Sequence, residues 1–183
     1  MRLSLWLLLC LAALALCACT HGSHEIALDN PGFETTDGAV QNAVPGWRLA
    51  QHAGAPAYEM SIDMQAAASG HASFRMHRLT PQRYGSIAQQ VAVPDSARGK
   101  PVTLSARMKT QNVGRKGWVL VLTIIADGGN NQVRGAPLTG TQNFNEVKVE
   151  ATLPPDATAI EVSALLLDDG TGWLDDVRVR IGN

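Results

Sequence analysis

The sequence predicts an all-β protein, a jelly-roll β-sandwich of two antiparallel sheets, and three observations carry that expectation. Segments with period-two hydrophobicity recur from residue 26 onward. Turn formers rich in Gly, Pro and Asp separate them at short intervals. Hardly any stretch shows the 3.6-residue period of an amphipathic helix. Ten or so short strands punctuated in this way fit sandwiches and jelly rolls. The 183 residues are 45% hydrophobic and 17% charged, with a formal net charge of -1. That balance excludes a highly charged disordered chain. It also gives no electrostatic ground for a nucleic-acid partner, which demands a concentrated basic surface.

The N-terminus comes first. Arg2 precedes an apolar run over residues 3–16, broken only by Ser4 and the thiol of Cys10. A basic start, such a run and small residues beyond it describe an export signal. A membrane span would need about 20 apolar residues. Leu16-Cys17-Ala18-Cys19 resembles the lipobox of bacterial lipoproteins, with Leu three positions before the cysteine and a small residue directly before it. Cys19 is the better acceptor, because bulky Leu16 would fill the small position ahead of Cys17. The resemblance implies a signal peptide over 1–18 and a lipidated, palmitate-bearing Cys19. It places the exported protein in the bacterial cell envelope, held to membrane lipid at the outer membrane or cell surface. Ordinary secretory cleavage near Ala18 is the alternative. The three cysteines are Cys10, Cys17 and Cys19, so the mature domain is expected to have no disulfide. A Cys-x-Cys metal pair lacks any later cysteine to complete it.

Residues 19–25 read as the lipidated cysteine and a short polar tether, and 26–183 as one β-sandwich domain whose first and last strands meet. Candidate strands are 58–63, 72–77, 84–91, 102–108, 118–125, 145–150, 159–166 and 173–181. In the last, Val177, Val179 and Ile181 share one face and Arg178 and Arg180 the other. The run 118–125 is almost continuously apolar and fits a strand buried on both faces. Turns are expected at Asn30-Pro31-Gly32, Pro45-Gly46, Pro94-Asp95-Ser96, Asp127-Gly128-Gly129-Asn130, Pro154-Pro155-Asp156 and Asp168-Asp169-Gly170. The short helix-like piece at 64–68 is expected to form a turn or a ragged strand end.

Several fragments then form an ordered set. Asn30-Pro31-Gly32-Phe33-Glu34 and Pro45-Gly46-Trp47 resemble the opening of the galactose-binding-like jelly rolls, nearest the carbohydrate-binding modules appended to bacterial xylanases and glucanases. Gly70-His71-Ala72-Ser73-Phe74-Arg75, Gln89-Gln90-Val91 and the strand from Gly99 to Thr110 resemble their middle. Gly172-Trp173-Leu174-Asp175-Asp176-Val177 is similar to their ending. The resemblance implies this fold and a glycan or polysaccharide partner, although the fold alone does not choose the ligand.

The same resemblance implies a structural calcium between the opening Glu34 and the closing Asp175 or Asp176, with backbone carbonyls near Gly32 and His71 completing the shell. Alternation puts Asp175 on the inward face of Val177, Val179 and Ile181, and Asp176 toward solvent or its own backbone. Asp175 accepting backbone amides with no ion is the other reading.

Binding candidates follow. Family modules hold sugars with exposed rings, planar amides and charged groups. Trp47 and Trp173 fall in scaffold positions. Trp118 either anchors its strand or stands at a rim. Tyr84 is the more exposed ring, and Arg75, His77, Arg107 and Gln132 could line a face, with plain surface solvation as the alternative for each. Tyr84, Trp118, Arg75, Arg107 and Gln132 are carried forward as ligand candidates. Catalysis finds no support: there is no Gly-x-Ser-x-Gly elbow, His-Glu-x-x-His pair or phosphate loop. The five histidines lack zinc spacing. Asp168, Asp169, Asp175 and Asp176 cluster about one turn and one strand, not across a cleft. The sequence is therefore read as a non-enzymatic envelope lipoprotein that binds carbohydrate. A structural or protein-interaction lipoprotein domain, with an envelope protein as partner, is the alternative.

Overall fold

The computed structural model describes residues 24–182. The strands are β1 (His24–Ile26), β2 (Arg48–Gln51), β3 (Tyr58–Asp63), β4 (Ser73–Arg78), β5 (Gly85–Ala92), β6 (Pro101–Ala126), β7 (Asn131–Arg134), β8 (Leu138–Thr152), β9 (Ala157–Leu166) and β10 (Thr171–Ile181). One 3-10 turn lies at Asp95–Ala97, and there is no α-helix among the described residues. Residues 64, 65 and 68 are bends, and no helix forms over 64–68.

β6 organises everything else, because its two halves belong to different sheets. Residues 102–111 pair with β10, and the same half pairs with β8. Residues 118–126 pair instead with β9 and β7. One sheet therefore runs β3-β4-β10-β6-β8, with β1 on the far end of β10. The other runs β2-β5-β9-β6-β7. All these pairings are antiparallel, and the result is a jelly-roll sandwich.

The sequence suggested two strands, 102–108 and 118–125, where the structure has one. The structure keeps one strand because β8 stays alongside through the turn, with Val113 opposite Gly140 and Trp118 opposite Leu138. Asn112 (φ 53°) and Gly117 (φ 82°) take left-handed conformations that redirect it. The core lies between the sheets. Phe74, Met76, Leu104, Met108, Leu174 and Val179 project from one, and Ile87, Leu120, Leu122, Ile160, Val162 and Ala164 from the other. Of the run 118–125 expected to be buried on both faces, residues 118–122 and Ile124 are buried, while Thr123 and Ile125 are half-buried.

The N-terminal loops close one end of this core. Phe33 packs 5.3 Å from Trp47 and 5.8 Å from Phe74, ring centre to ring centre. Buried Gln89 ties the loops down with its whole amide: Nε2 donates to the carbonyls of Asp29 and Gly46, and Oε1 accepts the Asp29 N–H at 2.7 Å. Trp47 is core scaffold, its indole N–H donating to the Asn30 carbonyl at 3.1 Å.

β1 pairs with β10 through His24↔Ile181 and Ile26↔Val179, so the ends of the domain meet. The sheet thus begins at His24, earlier than the tether's expected end at Glu25, because residues 24 and 25 still find ladder partners on β10. The export signal and Cys19 lie outside the described residues.

Candidate functional site

The outer face of the β2-β5-β9-β6-β7 sheet carries a cleft of about 330 Å³, a volume in the range of small-ligand sites. Its geometry follows from register. Arg48, Ala88, Ser163, Val121 and Arg134 form one row across all five strands. The row on one side is Ala50, Ser86, Leu165 and Val119, and on the other Gln90, Glu161, Thr123 and Gln132. Because side chains alternate, every one of these points away from the core. The middle positions are small: Ala88, Ser86 and Ser163 are buried beneath their neighbours. Small residues in the middle and long ones at the margins make a trough.

Its walls are polar and already oriented. Arg48 Nη2 donates to Glu161 Oε2 at 2.7 Å. Gln132 Oε1 accepts from Arg134 Nε at 2.9 Å and Nη2 at 2.7 Å. Tyr84, just before β5, stands half-exposed at the rim, and His52 meets it edge-on with 5.8 Å between ring centres. An aromatic rim, a planar amide and two guanidiniums around a shallow floor suit a ligand with both apolar faces and many hydroxyls.

A second cavity of about 220 Å³ opens between the β2 and β3 edges, lined by Leu49, Pro56, Tyr58 and Met60. Its principal polar side chain is already spent. Gln51 Nε2 donates to the carbonyls of Ala53, Gly54 and Ala55, and its Oε1 accepts the Ala57 N–H. Asn42 also lines this cavity, its Oδ1 accepting the Met60 N–H at 3.3 Å.

The expected ion site has a different geometry from the one alternation implied. A bulge between Asp175 and Arg178, with Asp176 at φ 52°, inserts one residue into β10. Asp175 therefore shares the outer face of Thr171 and Trp173, not the inner face of Val177. It is nonetheless fully buried, because the 64–72 loop covers it. Asp175 Oδ2 accepts the N–H groups of Ala68 (2.7 Å) and Ser69 (3.0 Å), and Oδ1 that of Asp176 (2.7 Å). Burial raises the Asp175 pKa above the ordinary carboxylate value, against the pull of those amides. Glu34 Oε1 takes the N–H groups of His71 and Ala72 at 2.9 and 3.2 Å. Gly70, directly before these donors, is at φ 63°, and a Cβ there would run into the Glu34 carboxylate.

Glu34 and Asp175 thus grip one loop from opposite ends of the chain. Glu34 Oε2 accepts no hydrogen bond among the described residues and is open to a cation, whereas both Asp175 oxygens already accept backbone N–H groups. Asp176 Oδ1 accepts from Arg178 Nη2 and Nε at 2.7 and 3.1 Å. No group of three or more His, Cys, Asp or Glu comes together among the described residues, so side chains alone do not complete the six to eight oxygens calcium takes.

The five ligand candidates separate. Tyr84 and Gln132 line the same cleft. Arg75, 3.8 Å from Glu59, and Arg107, beside Glu146 and Asp176, lie on the outer face of the opposite sheet. Trp118 is a correction: it is fully buried, and Gly172 leaves room for its indole, so it touches no ligand. Trp173 is buried but faces outward, its ring under the Lys109 ammonium at 4.6 Å. Asp168 and Asp169 brace their turn against Arg78 at 3.7 and 3.5 Å. Sequence reading missed Arg48, Glu161, Ser163 and Arg134, whose shared face appears only when strand register is known.

No protein-family model matches the chain, and no curated protein matches it. Solved structures do. The enzymatically active domain of bacteriophage CBA120 tailspike protein 4 is similar at TM-score 0.64 and 14% identity, over 84% of this chain and 21% of its own; this chain spans about a fifth of it. A cyclase from Fischerella sp. TAU, in complex with 4-(1H-indol-3-yl)butan-2-one, is similar at 0.59 and 14%, over 85% of this chain and 96% of its own. A carbohydrate-binding module of family 61, in complex with β-1,4-galactotriose, is similar at 0.52 and 18%, over 83% and 95%. These likenesses establish the fold as the β-sandwich jelly roll of carbohydrate-binding modules.

Proposed function

We propose that this domain binds a glycan chain in the cleft of the β2-β5-β9-β6-β7 sheet, without bond chemistry. The observation that carries the reading is the trough itself: a floor of Ala88, Ser86 and Ser163 between the Arg48–Glu161 and Arg134–Gln132 walls, with Tyr84 at the rim. Planar amide and guanidinium groups match the paired hydroxyls of a sugar, and a tyrosine face covers its apolar side. The family 61 module of the same fold holds a galactotriose, which supports a saccharide as the ligand class.

The reading extends to the cell. Residues 1–18 direct export, and Cys19 carries the lipid that keeps the domain at a membrane surface of the bacterial envelope. A structural calcium between Glu34 and Asp175 belongs to the same reading; bound there, it would supply positive charge to two carboxylates and fasten the 64–72 loop.

A glycan array probed with the protein tests the binding claim. Saturable binding that disappears in Tyr84→Ala is expected. A blank array for wild type would move the domain to the structural or protein-interaction reading. Metabolic labelling with a palmitate analogue tests the anchor. Label is expected in wild type and absent from Cys19→Ala; label retained in the variant would contradict acylation at Cys19.

A further inference from the structure

Arg134 stands at one margin of the cleft, on β7. Two arginines line the cleft, Arg48 and Arg134, and Arg48 has the Glu161 carboxylate at 2.7 Å. Arg134 forms no ion pair among the described residues. Its fork is held by a neutral group, the amide oxygen of Gln132, through Nε (2.9 Å) and Nη2 (2.7 Å). Gln132 is in turn anchored by its own Nε2 on Thr123 Oγ1 at 3.3 Å.

Two consequences follow. A guanidinium has five N–H donors and only two of Arg134's are committed, so three remain for a ligand. An amide orients the fork without cancelling its charge, whereas at the other margin Glu161 neutralises Arg48. The trough is therefore electrically lopsided: a compensated pair on β2 and β9, and an uncompensated, preorganised cation on β7. With neighbouring strands about 4.8 Å apart, the two arginines stand at opposite ends of a five-strand row. That spacing leaves room for several sugar rings between them.

We infer that the cleft selects an acidic glycan, one whose uronic-acid carboxylate docks on Arg134. Planar carboxylates pair with guanidinium in a fork that point charges do not reproduce. The inference rests on the glycan-binding reading of this same cleft.

Titration calorimetry with tetragalacturonate and with β-1,4-galactotetraose separates the two. At low salt the uronide is expected to bind at least tenfold more tightly than the neutral chain. That preference should shrink with added salt and vanish in Arg134→Gln, whose exposed site on an edge strand leaves the melting temperature unchanged. Equal affinity for both chains in wild type would overturn the inference while leaving glycan binding standing. A preference that survives in Arg134→Gln would overturn the assignment to this arginine. Binding of neither oligosaccharide would overturn it together with the cleft reading.

Discussion

The indole N–H of Trp118 donates to the main-chain carbonyl of Trp173 at 3.0 Å, although the two rings lie on opposite faces of one sheet. Trp118 fills the core where β6 passes from one sheet to the other. Trp173 lies outside, its own N–H on Asp63 Oδ2 at 2.8 Å and Lys109 above its ring. The hydrogen bond ties the crossing of β6 to the strand beside it.

Removing the inner ring should be costly. Trp118→Ala is expected to destabilise the domain by about 3–5 kcal/mol, the range for a large buried aromatic. Gly172→Ala attacks the same contact from the other side, since its Cβ would sit 2.7 Å from the Trp118 ring. Overpacking there should cost about 1–3 kcal/mol. Urea denaturation measures both, and wild-type midpoints would refute the core placement.

The Glu34 and Asp175 clamps can be separated from any ion. Asp175→Ala strands the N–H groups of Ala68, Ser69 and Asp176, each costing about 1–3 kcal/mol if left unpaired and dry. The variant should melt well below wild type. If calcium joins the clamp, chelator should lower the wild-type melting temperature and leave Glu34→Ala and Asp175→Ala unaffected. Identical wild-type melts with chelator and with added calcium would show that backbone amides alone satisfy the carboxylates.

Asp168 gives a pH dependence of known sign. Its carboxylate accepts the N–H groups of Lys116 and Asp169, which hold its pKa below the ordinary value of 3.8. A depressed folded pKa contributes stability that is fully present above 3.8 and is lost as pH falls through the lowered value. Asp168→Asn should therefore melt below wild type at neutral pH, with the difference closing as acid is added. Parallel melting curves across that range would rule out this linkage.

Strand positions were legible in the sequence where one face is dry: β3 matches the expected 58–63 without a shift, and β9 and β10 nearly do. Short strands with no buried residue, such as β2 and β7, carry too little contrast to be seen. Asp175 was misplaced because alternation assumes an unbroken ladder, and the bulge at Asp176 depends on backbone conformation that residue order does not display. The cleft was half legible. Tyr84 and Gln132 stood out as polar or aromatic groups, but Arg48, Ser163 and Arg134 meet only through the register of four strand pairs. Trp118 looked like either a rim or an anchor, and the small residue opposite it, Gly172, decided the matter in three dimensions.

The most direct test of the central claim compares the two faces of the sandwich by calorimetric titration with a glycan that binds wild type. Tyr84→Ala in the cleft should weaken binding by tenfold or more, a change of about 1.4 kcal/mol. Arg75→Ala, on the outer face of the other sheet, should leave affinity unchanged. Loss of binding in Arg75→Ala with retention in Tyr84→Ala would place the site on the wrong sheet and contradict the account.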